Sequence, residues 1–375
     1  ALRTGGGNKI SSSRSSAASR ARARTFPCSS SFTSLTLTST RSRTIESTSR
    51  PTYPTSVNLL ASSLMNGAWT SRFAEPITVP EGHISEKLLG KKLSSALFPV
   101  VKRLLIWYWA RGFDGVRKRL GLPKLATMYD LIEGDLTLLA DLPEYFPIVS
   151  SPASFRYIGP IRFREALPRP SWLSSLDPNR PTLYFTMGSS GDARFFSEAV
   201  RVFGDTEYQV LITTAGLPSE QFAQHRNIFV EKLADGDSLM AASNMTITHG
   251  GNGTIYQALG QGVPVIGIPT MFDQEINLVR VEKLGAGKRL RLRDCQGETL
   301  KQTVEHILET PSYLHAAQKL KRRIAQMDGP TNAALHIDHF LTTRDPLSVP
   351  REAEQSWAAP TPYLDGEPLL HPIPG

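Results

Sequence analysis

The chain has 375 residues, 40% of them hydrophobic, which is enough for two domains with a sizeable core. Its formal net charge of +8 does not indicate a nucleic-acid-binding protein, because eight Arg, one Lys and one Glu in residues 1–50 account for all of it. The two cysteines, Cys28 and Cys295, form no disulfide framework or metal-ligand spacing, so we expect a reducing, cytoplasmic environment.

Residues 1–55 are predicted to be disordered. The first 50 positions hold 14 Ser and eight Arg but few large apolar side chains, so this stretch cannot bury enough surface to fold alone. A leader rich in Arg and Ser and poor in acidic residues is also typical of an organelle transit peptide. The alternative is the end of a truncated or mistranslated coding sequence, since the chain begins at Ala1 without an initiator Met.

Residues 56–165 have the pattern of a globular segment. We expect short strands over residues 57–61 and 136–140 and a largely helical stretch over residues 85–120. The Pro-rich residues 166–181 follow and are predicted to be an inter-domain linker.

Residues 98–120 combine apolar, aromatic and basic side chains. No apolar run there reaches the roughly 18 to 20 residues that span a bilayer. Two interpretations stay open. Either Trp107, Trp109 and the basic run Arg117-Lys118-Arg119 make weak contact with a membrane surface, or a partly buried helix lines a hydrophobic pocket.

Residues 182–343 alternate short apolar strands with helical segments. The strands are predicted at residues 182–187, 210–214, 228–230, 245–248 and 265–268. This alternation predicts an α/β domain with a doubly wound parallel sheet, whose ligands bind at the carboxyl ends of the strands. The remaining residues, 344–375, carry seven prolines and are predicted to form an irregular tail.

The most informative motif follows the fourth of these strands, at His249-Gly250-Gly251-Asn252-Gly253-Thr254. Its glycines lie between a short buried strand and a segment with helical spacing, so they form a strand-to-helix turn. Such a turn lets backbone N–H groups approach an anion closely and directs the positive end of a helix toward it. A diphosphate suits this turn well.

The motif and the residues after it resemble a known family. His249-x-Gly251-x-Gly253-Thr254, then Gly262-Val263-Pro264, Pro269 and Asp273-Gln274, are similar to the nucleotide-binding half of the GT-B fold UDP-glycosyltransferases, which include bacterial macrolide and plant flavonoid enzymes. The resemblance extends over residues 56–343. It implies two Rossmann-like domains: an incomplete N-terminal acceptor-binding domain over residues 56–165 and a donor-binding domain over residues 182–343.

The resemblance also implies roles for individual residues. The expected donor contacts are, for the diphosphate, His249, Gly251, Gly253, Thr254, Ser189 and Ser190; for the ribose, Gln257; for the nucleobase, backbone groups near Val230 and Leu233; and for the sugar, Asp273 and Gln274. Each of these residues could instead have a purely structural role. His249 would then be a core or surface histidine, the glycines an ordinary tight turn, and Gln257 a surface residue of a helix. One of the serines, or Asp273, would be a helix N-cap.

Gln257 departs from the family pattern, which usually has Glu at this position. A carboxylate makes stronger hydrogen bonds to ribose hydroxyls than an amide does. We therefore expect weaker donor binding, or a relaxed choice between UDP and dTDP.

The catalytic base of the family has no evident counterpart. The family places a His after the first strand of the acceptor domain, in a section that the resemblance does not cover. His83 is the only upstream histidine, and it lies in a loop, so it is a weak candidate and the base is expected to be absent from this chain. A base of this kind typically contributes about 10²- to 10⁴-fold to the rate.

Two other patterns are expected to be structural. Asp235-Gly236-Asp237 has a manganese-binding spacing, but Asp237 is predicted to be a helix N-cap. His336 and His339 are predicted to lie on a solvated helix face, because no third metal ligand is apparent. We expect no metal and no cofactor, with a UDP-sugar as donor substrate.

The sequence thus predicts a metal-independent, inverting transfer of a hexose from a nucleotide sugar to a hydroxyl of a small lipophilic acceptor. One alternative is a catalytically incomplete fragment or homologue that binds nucleotide sugars without transferring them. The other is a different GT-B enzyme, such as a nucleotide-sugar epimerase, since a fold alone does not fix the reaction. Nucleic acid is not an expected partner.

Overall fold

The computed structural model describes residues 57–60, 71–74, 84–150, 152–162, 166–188, 194–295, 297–343, 363–364 and 367–368. The segment predicted to be disordered lies outside these residues. So do His83, Ser189 and Ser190.

The first part of the described chain builds a small parallel sheet. It contains β1 (Val57–Leu60), β2 (Leu136–Leu139) and β3 (Phe155–Tyr157), in the order β1-β2-β3. Both strands expected in this region are therefore present, each one residue shorter than predicted. All four residues of β2 are buried, as expected for the central strand of a parallel sheet.

Three helices lie between β1 and β2 in the described part of the chain. They are α1 (Ile84–Arg111), α2 (Asp114–Arg119) and α3 (Tyr129–Ile132). The helical stretch expected over residues 85–120 is thus present as α1 and α2, with a non-helical residue at Gly90 inside α1.

The second part builds a six-stranded parallel sheet in the order β6-β5-β4-β7-β8-β9. Its strands are β4 (Thr182–Thr186), β5 (Gln209–Thr213), β6 (Ile228–Glu231), β7 (Met245–Thr248), β8 (Val265–Gly267) and β9 (Gly287–Arg289). Five of them lie within one residue of their predicted bounds. The sixth, β9, has no counterpart in the sequence prediction.

Helices lie between most of these strands and after β9, and they cover both faces of the sheet. They are α4 (Arg194–Phe203), α5 (Gly236–Ala241), α6 (Asn252–Gln261), α7 (Phe272–Lys283), α8 (Gly297–Glu309), α9 (Pro311–Ala325) and α10 (Gly329–Thr343). Two buried clusters result, one containing Leu211, Val265 and Leu278 and the other containing Phe185, Ile212 and Ile247. The doubly wound parallel sheet expected for residues 182–343 is therefore present.

The last long helix ties the small sheet to the rest of the chain. Ala333 and Phe340 of α10 pack against Leu136 and Leu138 of β2. The side-chain amide of Asn332 donates to the carbonyl oxygen of Ile158 over 3.0 Å. Contacts group residues 31–375 as one compact unit, so a domain boundary within residues 166–181 stays a prediction.

Two further segments differ in detail from expectation. The stretch predicted as a linker contains a 3-10 helix, Ser171–Ser175, whose Leu173 is buried. In the tail predicted to be irregular, β10 (Tyr363–Leu364) pairs antiparallel with β11 (Glu367–Pro368).

Candidate functional site

The candidate site lies where the order of the large sheet reverses. The chain runs outward from β4 through β5 to β6, and it then returns to the other side of β4 with β7. Connections leave β4 and β7 in opposite directions at this switch point, which opens a crevice outside the carboxyl ends of these two strands. Gly188 follows β4 and His249 follows β7, so both enter this crevice.

His249 is enclosed between two glycines from these two turns. A Cβ atom on Gly188 would lie 2.7 Å from Cε1 of the imidazole, and one on Gly251 would lie 2.6 Å from Nε2. Both distances are shorter than real Cβ contacts, so only glycine fits at either position with the ring in place. Gly188 also has a φ of +53°, in the left-handed region that favours glycine.

The imidazole of His249 is neutral at pH 7. His249 is only 6% exposed, and this burial lowers the pKa of the imidazole to about 4. The negative charge of Asp273 raises the pKa, but by less than burial lowers it. Nδ1 lies 3.2 Å from the hydroxyl oxygen of Thr248. When that hydroxyl donates to Nδ1, the single ring proton lies on Nε2, and Nε2 can donate one hydrogen bond to an anion.

Helix α6 presents its N-terminus beside this imidazole. Gly251 is the N-cap residue, and it has no side chain to accept from the first turn. The N–H groups of Asn252, Gly253 and Thr254 are the first three of the helix and have no intrahelical acceptor. A Cβ on Gly253 would meet nothing within 4 Å, so the space next to this residue is open. The turn thus offers amide donors and a positive helix end to an anion.

A buried polar network fixes α6 against the small sheet. The hydroxyl of Tyr256 donates to the carboxylate of Asp141 over 3.1 Å. The hydroxyl oxygen of Tyr256 in turn accepts from the N–H of Leu142 over 2.9 Å. The side-chain amide of Asn252 lies 3.4 Å from the same carboxylate oxygen of Asp141. Asp141 lies two residues after β2, so α6 is held by the sheet expected to bind the acceptor.

The loop after His249 is held from α7. The side-chain amide of Asn277 donates to the carbonyl oxygen of Gly250 over 3.0 Å, and the carbonyl oxygen of Asn277 accepts from the hydroxyl of Tyr145. Sequence reasoning missed Asp141, Tyr256 and Asn277 as parts of the site.

Gln257 lies toward the β6 side of the crevice. A Cβ on Gly236 would lie 2.9 Å from its side-chain nitrogen, so the amide is packed against the first residue of α5. Val230, at the end of β6, is half-buried, whereas Leu233 is exposed. The residues predicted for the ribose and the nucleobase are therefore near the same end of the sheet, and their roles stay predictions.

An aromatic pair flanks β6 and was also missed. Trp172 stacks on Phe229 with 5.1 Å between ring centroids, and its indole N–H donates to Glu231 over 2.8 Å. Trp172 lies within the predicted linker, where a lone tryptophan gave no sign of its partner.

The predicted sugar pair separates into two different environments. Asp273 is the second residue of α7, half-buried and near enough to influence the His249 pKa. It is not the N-cap, which is Met271. Gln274 is buried, and its side-chain oxygen accepts from the N–H groups of Thr270 and Met271 over 2.8 and 3.2 Å. The observed role of the Gln274 carbonyl is thus to hold the turn, and sugar binding by this pair stays a prediction.

Two structural expectations were wrong. The N-cap of α5 is Asp235, which accepts from the N–H of Asp237, because Asp235 has the extended backbone that a cap requires. His336 is not on a solvated face. It is buried, and this burial, helped by Arg156 and His339, lowers its pKa to about 4.

Comparison with known proteins matches the second part of the chain to one family model. Residues 225–339 match the model described as the C-terminal domain of erythromycin biosynthesis protein CIII-like proteins. The chain is 30% identical over 285 residues to a PGL/p-HBAD biosynthesis glycosyltransferase of Mycobacterium tuberculosis, covering 74% of this chain and 65% of that protein. It is 28% identical over 259 residues to 4'-demethylrebeccamycin synthase of Lentzea aerocolonigenes, covering 66% and 61%. The chain therefore spans less than two thirds of these curated relatives.

Two solved structures share the fold. The glycotransferase of kitacinnamycin superposes with a TM-score of 0.55 at 20% identity, covering 70% of this chain and 68% of that one. The calicheamicin glycosyltransferase CalG4 superposes with a TM-score of 0.52 at 21% identity, covering 71% and 66%. These likenesses confirm the expected GT-B fold class.

Proposed function

We propose that the chain is a glycosyltransferase of the UDP-glycosyltransferase type, which transfers a hexose from a nucleotide sugar, with UDP as the nucleotide, to a hydroxyl of a small lipophilic acceptor. The transfer inverts the anomeric carbon and needs no metal. The observation that carries this proposal is the neutral imidazole of His249, enclosed by Gly188 and Gly251 at the N-terminus of α6.

The diphosphate of the donor occupies the crevice between β4 and β7. Nε2 of His249 and the first amides of α6 donate to its oxygens, and the positive end of the helix stabilises the charge that grows on the leaving nucleotide. These donors are fixed before the substrate arrives, because Tyr256 and Asn277 hold the helix and its loop from two sides. Their role is the one that a metal ion has in other glycosyltransferase folds.

The rest of the donor extends to either side of the diphosphate. The ribose lies toward Gln257 and the nucleobase toward the backbone of Val230 and Leu233. The hexose lies toward α7, where the Asp273 carboxylate accepts hydrogen bonds from its hydroxyls. Gln274 supports this arrangement by holding the turn that begins α7.

The donor site is tested by calorimetric titration with UDP and dTDP. His249→Ala is expected to weaken UDP binding by about 10- to 150-fold, since a hydrogen bond to a charged acceptor contributes about 1.5 to 3 kcal/mol. His315→Ala is the matched control, because His315 is an exposed histidine on α9. Unchanged UDP affinity in His249→Ala would rule out this diphosphate site.

Transfer is tested separately, with UDP-glucose, a panel of lipophilic phenols and alcohols, and mass spectrometry of the products, with and without EDTA. Transfer to at least one acceptor is expected, and EDTA should change nothing. UDP binding with no transfer to any acceptor would favour a nucleotide-sugar-binding protein instead.

A further inference from the structure

Helix α1 exposes an apolar surface that the proposed reaction does not use. Its largest members are Val100, Leu104, Leu105, Trp107, Tyr108 and Trp109, which we call the α1 surface, and each is more than two fifths exposed. Contiguous apolar patches of this kind on a folded protein mark sites of interaction, whereas single exposed apolar residues do not.

Among the described residues, one narrow stripe of α1 packs against the rest of the chain. Ser94 and Ala110 are buried, the ring of Phe98 lies 6.4 Å from that of Phe272, and the carbonyl oxygen of Ile106 accepts from the N–H of Met128. These residues are separated by multiples of four positions, so they form one row that winds slowly around the helix. The α1 surface covers the other faces, which leaves it accessible while the helix itself stays fixed.

The surroundings of this surface are strongly basic. Residues 92–124 contain eight Lys and Arg but a single acidic residue, Asp114, so their net charge is +7. Residues 51–375 as a whole carry 33 basic and 33 acidic side chains. Within residues 51–375 this segment is therefore strongly positive, whereas the other residues of that range together carry a net charge of −7.

We propose that the α1 surface docks on the face of a lipid bilayer that contains anionic lipids. Trp107, Tyr108 and Trp109 combine an apolar ring with a polar N–H or O–H group, which suits the boundary between headgroups and acyl chains. Lys118, Arg119 and Lys124 then face the negative headgroups. Among the described residues no helix is long and apolar enough to cross a membrane.

Charge argues against a second copy of the chain as the occupant. Self-association through this surface would bring two segments of net charge +7 together. An anionic bilayer instead gains attraction from the same charges and also buries the indole rings.

Vesicle flotation with the full chain tests the proposal. The expected result is binding to vesicles of phosphatidylcholine with 30% phosphatidylglycerol and little binding to phosphatidylcholine alone. Lys118→Glu/Arg119→Glu should bind at least about 30-fold more weakly, since each basic residue near an anionic surface contributes about 1 kcal/mol and 1.4 kcal/mol is tenfold. Arg226→Glu/Arg322→Glu makes the same charge change at exposed positions outside this segment and should bind like the wild type.

Trp107→Ala/Trp109→Ala tests the apolar part. Both residues are about half exposed, so the fold should tolerate the change, and binding to anionic vesicles should fall at least tenfold. Leu314→Ala/Leu335→Ala removes exposed apolar side chains from α9 and α10 as the control.

The proposal would be overturned if each control variant lost as much vesicle binding as its test variant. It would also be overturned if the wild-type chain did not bind anionic vesicles. A dimer in sedimentation that disappears in Trp107→Ala/Trp109→Ala, without vesicle binding, would assign the surface to a second copy. The readout does not involve nucleotide sugars, and His249→Ala should bind vesicles like the wild type. Failure here is thus distinguishable from failure of the proposed function.

Discussion

Replacing Gly251 by alanine is expected to weaken UDP binding by about 10- to 150-fold. The new Cβ would lie 2.6 Å from Nε2 of His249, whereas ordinary contact begins at 3.4 Å, so the ring must move by about 0.8 Å. Gly188 lies near the same ring, since a Cβ added there would be 2.7 Å from Cε1. A hydrogen bond of about 2.9 Å from Nε2 to a phosphate oxygen would lengthen to about 3.7 Å and be lost. The 10- to 150-fold weakening corresponds to the loss of one hydrogen bond to a charged acceptor, which contributes about 1.5 to 3 kcal/mol.

Calorimetric titration with UDP measures this effect. Gly251 has an ordinary φ of −62°, so alanine causes no backbone strain there and the effect is steric. Gly115→Ala is the matched control, since a Cβ at Gly115 in α2 would meet nothing within 4 Å. Gly251→Ala with wild-type affinity, in a protein that is folded by circular dichroism, would refute the enclosure of His249 as the basis of diphosphate binding.

Three further outcomes are expected. The folded-state pKa of His249, about 4, lies below its unfolded value of 6.5, so the unfolded chain takes up the proton first and stability falls as the pH drops from 6.5 toward 4. The free energy of unfolding, measured in urea, should fall from pH 7 to pH 4.5 by about 2 to 3 kcal/mol less in His249→Asn than in the wild type. The same pH dependence in both proteins would contradict a buried neutral imidazole. Tyr256→Phe removes one hydrogen-bond partner from the Asp141 carboxylate and one from the Leu142 N–H. It should lower the free energy of unfolding at pH 7 by about 2 to 4 kcal/mol, and a change below about 0.5 kcal/mol would argue against the network. Gln257→Glu should tighten UDP binding several-fold in calorimetry, because a carboxylate accepts more strongly from ribose hydroxyls, and weaker binding would remove Gln257 from the ribose site.

The turn at His249 was predictable because its signal is local. An apolar strand, three glycines and a helical segment follow one another within 16 residues, and the structure contains them as β7 and α6. The sequence also placed five strands of the large sheet, since each is a short apolar run between turn residues. β9 was missed because its three residues, Gly287–Arg289, are polar or lack a side chain and form the sheet edge.

The contacts that hold the site were not predictable in the same way. Asp141 and Tyr256 are 115 residues apart, and their bond exists only because α6 docks against the end of β2. The cap of α5 is a different case. Asp235 and Asp237 are both suitable residues by type, and the backbone conformation, which the sequence does not specify, selects Asp235. For Gln274 the family pattern indicated a ligand contact, whereas tertiary structure buries the side chain and uses its oxygen in the turn.

A crystal structure of the chain with UDP would test the central claim most directly. We predict that the diphosphate lies in the crevice between β4 and β7, with an oxygen about 2.7 to 3.2 Å from Nε2 of His249 and others at the amides of Gly253 and Thr254. The ribose should then lie beside Gln257. A diphosphate bound away from His249, or a crevice without UDP at concentrations where calorimetry shows saturation, would contradict the account.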